Sequence, residues 1–429
     1  MKKVKIGVLG AYRGSSMIRY CKIADNAELV AICDSFKPAL EKQKAQDESG
    51  KIVFYDNFED FINHDMDAVV LANYANEHAP FAIRCLKKGL HVFSEVLPCQ
   101  TLKEAVELIE TVEETKKVYA YGENYCWFSG VHEMRRLYKE GKIGELTYAE
   151  GEYLHNCETI WPGCAYGDEN HWRNNMFSTF YCTHSLGPIL HSTGLRPVSV
   201  VGFESANNDL ADREGHKGAA FGIEMVTLEN GATVKSVHGQ TYRNNIWWCM
   251  HGTKGLMETA RKEAENGEYN RIYVNYDEVP GVYDSPIREN YLANENSATE
   301  KAFEHGGSDF WSMYHFCEKI LGNNDAEIID VYEAIDMGIT GLFAYFSILD
   351  GSTPKQIPNL RIKSERDKWR DNVCCTNKKV AGDSLLPTRK TGTPTIPSEV
   401  YKTQKELFED QVKTGTGRFG GITKTTVKK

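Results

Sequence analysis

The sequence predicts an α/β chain: an N-terminal doubly wound parallel sheet, then an α+β domain built on a large, mainly antiparallel open sheet. Three observations carry this. Up to about Tyr125, short apolar runs alternate with amphipathic helical patterns, the mark of parallel βαβ units. Beyond that point the strand-like runs lengthen and alternate apolar with polar residues, as strands with one buried face do. The chain's 429 residues also exceed what a single hydrophobic core supports. The expected division is 1–125, 126–352 and a polar C-terminal arm at 353–429.

In chain order, strands are expected at Val4–Leu9, Glu28–Cys33, Ala68–Ala72, His91–Glu95 and Val118–Tyr121. Pro80–Lys88 and Leu102–Lys116 repeat apolar residues at helical period and cover this sheet. The turn after the first strand, Gly7-Val8-Leu9-Gly10-Ala11-Tyr12-Arg13-Gly14, supplies glycines where backbone amides must approach a pyrophosphate at a helix N-terminus. Tyr12 takes the place of the second fingerprint glycine. Asp34 follows the second strand, where a carboxylate accepts hydrogen bonds from an adenosine ribose and repels a 2′-phosphate. The first half therefore reads as a Rossmann domain for NAD rather than NADP, with Gly10, Tyr12, Arg13, Gly14 and Asp34 as cofactor contacts. Asn73, His78, Glu95 and Asn124 join that set, since ligands of such sheets sit beyond the carboxyl ends of the strands. His78 is equally suited to capping a helix.

The second half opens with a helix at Phe128–Gly141 that ends on its glycine. Strands follow at Glu145–Leu154, Val198–Glu204, Gly222–Glu229, Thr233–Tyr242 and Arg271–Tyr276, with helices at Asp309–Leu321 and Val331–Leu349. After Thr353 the chain turns polar, and Thr414–Lys429 carries little that forms a core, so the arm is expected to wrap a neighbour or to be loosely held. The net charge of −10 is spread along the chain without a basic block, which argues against nucleic acid. No apolar run reaches eighteen residues, and the N-terminus enters a strand pattern at once, which predicts a cytoplasmic chain without membrane attachment. The twelve scattered cysteines suit reduced thiols.

Gly10-Ala11-Tyr12-Arg13-Gly14, Cys33-Asp34, Asn73 to His78 and Ser94-Glu95 together resemble the Gfo/Idh/MocA oxidoreductases. That family typically carries a Glu-Lys-Pro triplet whose lysine assists hydride transfer; this chain reads Glu95-Val96-Leu97-Pro98. A narrower resemblance, to the NAD-dependent glycosidases of glycoside hydrolase family 109, accounts for the missing lysine. Its motifs are Glu95-Val96 with Thr101-Leu102, Glu123-Asn124-Tyr125-Cys126, Gly144 to His155, Trp172-Arg173, Tyr181-Cys182-Thr183-His184-Ser185-Leu186-Gly187-Pro188 and His305-Gly306-Gly307-Ser308-Asp309. They span most of residues 5–350. Two stretches depart from the family: the short segment between Trp172 and Tyr181, and the insertion-like Cys157–Asn170.

The resemblance implies a glycosidase in which NAD oxidises the sugar's 3-hydroxyl. The ketone acidifies C2, elimination expels the C1 substituent, water adds, and the retained cofactor reduces C3 again. By this reading His184 is the base for the 3-hydroxyl. Tyr153 is the C2 base, with Tyr181 and His155 in support, because Tyr153 and His155 share one face of a strand. Trp172, Arg173, His305 and Asp309 are expected to touch substrate. His155, Cys157, Cys164 and His171 are competent zinc ligands, but their spacing fits no tight template and no metal is assigned. Trp247-Trp248 is read as core packing and Lys254 as a turn residue. The partner expected is a small-molecule glycoside, in a homodimer or homotetramer formed through the open sheet. Competing readings are a conventional NAD-dependent sugar or cyclitol dehydrogenase, one station of a multi-enzyme glycoside pathway, and a catalytically silent sugar-binding relative.

Overall fold

The computed structural model describes residues 2–206, 209–261, 270–277, 286–293, 303 and 305–416. Its first sheet is all parallel. β1 (Val4–Leu9), β2 (Ala27–Cys33), β3 (Val53–Tyr55), β4 (Ala68–Leu71), β5 (His91–Glu95) and β6 (Tyr119–Gly122) lie in the order β3-β2-β1-β4-β5-β6. Helices α1 (Ser15–Ile23), α2 (Lys37–Ala45), α3 (Phe58–Phe61), α4 (His78–Lys87) and α5 (Leu102–Thr115) connect them. Burial of both sheet faces explains the continuous apolar runs: Ile6, Val8, Ile32, Val70 and Val92 are all fully enclosed. The strand order reverses between β1 and β4, which opens a crevice at their carboxyl ends.

α6 (Ser129–Lys139) leads into a nine-stranded sheet of β7 (Leu146–His155), β8 (Pro197–Glu204), β9 (Phe221–Leu228), β10 (Thr233–Gln240), β11 (Asn245–Gly252), β12 (Gly255–Thr259), β13 (Arg271–Tyr276), β14 (Ile287–Leu292) and β15 (Lys355–Gln356). The order is β14-β13-β12-β11-β7-β10-β9-β8-β15, antiparallel at every pairing except β7 with β10. The remaining helices are α7 (Trp161–Ala165), α8 (Thr183–Thr193), α9 (Asp209–Glu214), α10 (Ser308–Leu321), α11 (Val331–Leu349), α12 (Lys363–Trp369), α13 (Lys378–Ala381) and α14 (Ser398–Thr414). β9 and β10 alternate buried and partly exposed residues along their whole length, the period-two pattern of a half-covered sheet. α8 and α11 cover the buried face. Among the described residues no helix is long and apolar enough to cross a membrane.

One glycine sets the seating of α8. A Cβ at Gly151 on β7 would stand 1.9 Å from the Ser185 carbonyl oxygen, so only glycine admits the start of α8 here. Trp248 on β11 then donates its indole N–H to the same carbonyl at 3.1 Å.

Two placements differ from the sequence reading. α10, assigned by sequence to the second half, packs on the first sheet: Phe316 meets Phe93 with ring centroids 5.6 Å apart, and Phe310 meets Tyr20 at 5.2 Å. The arm from Thr353 to residue 416 is not loose; it is docked on its own chain. β15 extends the second sheet, Arg366 clamps Glu113 of α5 at 2.7 and 2.9 Å, and Arg370 clamps Glu110 at 2.6 and 2.7 Å. Polar composition hid this because the arm is fixed through ion pairs, carbonyl contacts and a few separate apolar anchors such as Ile357, Leu360 and Trp369. Residues 417–429 of the expected polar tail lie outside the described residues.

Beneath α8, Glu224 of β9 is fully buried beside Ser236 and Cys182. Burial pushes its carboxyl up to about 8, and neither carboxyl oxygen has a hydrogen-bond partner among the described residues. The folded chain therefore keeps a proton that the unfolded chain releases near the ordinary 4.5, and stability falls as pH rises from there to about 8. Glu224→Gln removes that loss. Its thermal midpoint should exceed that of the parent by roughly 5 °C at pH 8 and by almost nothing at pH 4.5; equal shifts at both pH values would contradict the assignment.

Candidate functional site

A cavity of about 620 Å³ runs from the carboxyl ends of β1, β2 and β4 to the inner face of β7 and the start of α8. This volume is within the range of small-molecule sites. Gly10, Tyr12, Arg13, Asp34, Asn73, His78, Glu95 and Asn124 line one end; Tyr153, His155, Trp172, Arg173, Tyr181, His184 and His305 line the other. Two expected contacts do not line it, Gly14 and Asp309.

At the first end, Gly10 has φ +98°, and a Cβ there would stand 2.3 Å from the Ala72 carbonyl oxygen. Gly14 is the N-cap of α1, and no side chain caps that N-terminus, which leaves the end to an anion. Gly14 also serves packing, because a Cβ would meet the Gly10 carbonyl at 2.4 Å and Val8 at 2.6 Å. Asp34 closes the loop by accepting from the backbone N–H groups of Ala11 (2.7 Å) and Phe36 (2.8 Å). Burial raises its carboxyl, and those amides oppose the rise. The crevice also holds buried acceptors that no donor among the described residues meets, Asn73 Oδ1 and Asn124 Oδ1. Glycine cradle, uncapped helix, ribose-side carboxylate and unmet polar atoms together fit a dinucleotide.

His78 is the first residue of α4 and hydrogen-bonds the Leu97 carbonyl through Nδ1 at 3.1 Å. Burial holds it down at about 4, so it is a neutral ring tying α4 to the segment after β5. Arg13 pairs with two carboxylates, Glu95 at 2.7 Å and Asp309 at 3.2 Å. Burial pushes Glu95 up to about 7 against the attraction of Arg13. Burial also works to raise Asp309, but Arg13 and His305 hold it well below the usual carboxylate range. Asn124 donates to Asp309 at 3.3 Å. Asp309, expected to touch substrate, is thus a buried anchor behind the wall: it ties α10 to the first sheet and fixes Arg13, His305 and Asn124.

At the other end, His184 sits in the first turn of α8 and its Nδ1 lies 2.6 Å from Glu123 Oε1. Glu123 follows β6 and its side chain is fully buried. A carboxylate only accepts, so Nδ1 carries the proton and Nε2 is the ring nitrogen left for a ligand. Three phenol rings enclose the imidazole, with centroids at 4.3 Å (Tyr125), 4.7 Å (Tyr153) and 5.0 Å (Tyr181). Sequence reading placed His184, Tyr153 and Tyr181 here but gave no role to Glu123 or Tyr125. Glu123 had a positional signal, a carboxylate at the carboxyl end of a strand, but its partner is 61 residues away.

The two phenols expected to share the C2 role differ in setting. Burial pushes Tyr153 well above 10, and neighbouring Tyr125, Cys157 and Tyr181 add to the rise. Tyr181 is raised by burial as well, but the charge and hydrogen bonding of Arg173 act on it directly. The Arg173 guanidinium lies 4.4 Å from the Trp172 ring centroid and 5.6 Å from that of Tyr181. Arg173 opposes the rise at both phenols, by charge at Tyr153 and by charge and hydrogen bonding at Tyr181. Burial lowers His155, leaving it neutral, with Nδ1 at 2.9 Å from the Asn156 carbonyl. Val96 lines the cavity where the lysine was missed. Cys157, Cys164 and His171 line it too, but among the described residues no three His, Cys, Asp or Glu side chains come together as metal ligands. Trp248 is buried under α8, and Trp247 stacks with Arg261 at 4.7 Å, as core and strand-face packing require.

Comparison with known proteins agrees with this layout. The family model for the oxidoreductase family, NAD-binding Rossmann fold, matches residues 4–123, and that for the glycosyl hydrolase 109 C-terminal domain matches residues 131–370. A glycosyl hydrolase family 109 protein of Solibacter usitatus (strain Ellin6076) is 27% identical over 409 residues, covering 86% of this chain and 89% of the relative. Among solved structures, scyllo-inositol dehydrogenase from Lactobacillus casei with bound NAD(H) and scyllo-inositol superposes with TM-score 0.65 at 19% identity, covering 83% of this chain and 99% of that one. Myo-inositol 2-dehydrogenase from Lactobacillus plantarum gives TM-score 0.65 at 19% identity, covering 83% and 100%. Those two likenesses concern the fold. The chain is an NAD-dependent enzyme of the Gfo/Idh/MocA oxidoreductase type and belongs to the glycosyl hydrolase 109 family.

Proposed function

We propose that the cavity hydrolyses a glycoside by transient oxidation at C3, deprotonation at C2, elimination of the C1 substituent, addition of water and re-reduction. The observation that carries this reading is the Glu123–His184 pair enclosed by Tyr125, Tyr153 and Tyr181, at the end of the cavity opposite Gly10 and Asp34. NAD, when bound along the crevice by Gly10, Asp34, Asn73 and Asn124, supplies a reversible two-electron acceptor for the sugar carbinol.

His184 Nε2 takes the proton of the 3-hydroxyl and later returns it. Glu123 fixes the ring orientation and balances the charge that the imidazole gains, the arrangement in which a buried carboxylate serves a histidine base. Once C3 is a ketone the C2 hydrogen is acidic, and Tyr181, supported by Arg173, removes it. The electron pair forms a C1–C2 double bond as the C1–O bond breaks and the departing oxygen takes a proton. His155 lies beside Tyr153 with centroids 5.8 Å apart and is placed to bind the leaving oxygen or the incoming water. Water then adds, OH to C1 and H to C2, and the sum is hydrolysis. Val96 offers no proton at the position where a dehydrogenase of this type places lysine.

Hydrolysis of a panel of glycosides in heavy water, without added NAD, should give sugar carrying deuterium at C2, read by mass spectrometry and proton NMR. Hydrolysis that leaves C2 unlabelled excludes the elimination route. His184→Ala should reduce kcat by about 10³ and Glu123→Gln by about 10² with NAD content unchanged. Tyr181→Phe should stop C2 exchange while a 3-keto sugar still forms; retention of full exchange would remove Tyr181 from that role.

A further inference from the structure

α14 is anchored on the second half of the chain and reaches across to the first. Tyr401 donates to the Gly215 carbonyl at 3.0 Å, Gln404 to that of Arg213 at 2.9 Å and Gln411 to that of Thr159 at 2.8 Å. Gly167 lies so close that a Cβ would stand 2.4 Å from the Tyr401 carbonyl oxygen. From this platform Phe408 extends to two rings that line the cavity, Tyr166 at 5.0 Å and Phe36 at 6.4 Å. Tyr166 meets His171 at 5.5 Å, and His171 meets Tyr74 at 4.9 Å. All four separations fall within the range of attractive ring pairs.

The five rings form a continuous span whose two feet stand on the first sheet. Phe36 follows β2 and Tyr74 follows β4, the strands on either side of β1. Gly10 and Asp34, which cradle the dinucleotide, lie at the strand ends between those feet. Helix 398–414 also falls outside both family matches, which end at residues 123 and 370. We infer that this arch, with Phe408 as its outer keystone, closes over the adenosine half of the crevice and gates the entry and release of NAD. NAD is thereby a resident group instead of a freely exchanging one. Such retention suits a cofactor that ends each cycle unchanged, but the inference rests on NAD binding alone and not on the elimination route.

A gate and a simple contact surface differ kinetically. Removing a contact speeds release only, whereas removing a gate speeds both release and entry. NAD binding to nucleotide-free full-length protein, followed by stopped-flow fluorescence, and NAD release into a scavenging enzyme read the two rates without any glycoside. Phe408→Ala should raise both by about tenfold, and Phe408→Tyr, which keeps the ring, should restore the parent values. Leu407→Ala, at a 45% exposed position of the same helix, should change neither. Thermal midpoints of the nucleotide-free variants monitor folding; if Phe408→Ala is destabilised, Tyr166→Leu tests the neighbouring ring by the same two rates. Faster release with unchanged or slower entry, or no change in either rate, would overturn the gate.

Discussion

The hydrogen bond between Glu123 and His184 is the constraint on which the site depends. It is short, fully enclosed, and made between residues from the two halves of the chain. Neither partner can move alone without leaving a buried polar atom unmet, which is costly in a low-dielectric interior. The backbone makes the meeting possible. Gly151 lets α8 settle on β7, and Gly187 leaves room for Glu123, whose Cγ would be 3.1 Å from a Cβ there. The tyrosines around the imidazole follow from the same seating: Tyr125 comes two residues after Glu123, Tyr153 from β7 and Tyr181 from the approach to α8.

A second buried polar cluster, Arg13 with Glu95 and Asp309, holds the cofactor end to the rest. Two carboxylates share one guanidinium, so one is pushed up toward neutrality while the other stays ionised. A pair of this kind is seldom a large source of stability, but breaking it strands a buried charge. Its effect is registry: α10, 296 residues after Arg13, is fixed over the β1 end of the crevice. The aromatic arch makes a third connection between the halves, from the outside.

Much of this was legible in the sequence, because the signals concerned are local. Apolar runs gave β1, β2, β4, β5 and β6, the period-two patterns gave β7 to β10, and Val331–Leu349 fell on α11 to the residue. Asp34 and the glycine turn are read from spacing, and His184 from its motif. What was not legible depends on long-range encounter. Glu123 is an ordinary acidic residue until α8 brings a histidine to it. Asp309 has the sequence context of a ligand contact but is drawn inward by Arg13. That Arg173 acts on both Tyr153 and Tyr181 depends on where its side chain lies, which no spacing encodes. The arm after Thr353 shows no apolar period because its contacts are ion pairs, backbone carbonyls, single rings and isolated aliphatic anchors such as Ile357 and Leu360.

Glu123 orients the His184 imidazole through Nδ1, which leaves Nε2 as the ring nitrogen for a ligand. Nitrogen-15 NMR of histidine-labelled, NAD-loaded protein reads this directly, with His184→Gln used to assign the signal. The predicted spectrum shows a bonded proton on Nδ1 and Nε2 resonating as an acceptor. A proton found on Nε2, with Nδ1 bare, would contradict it.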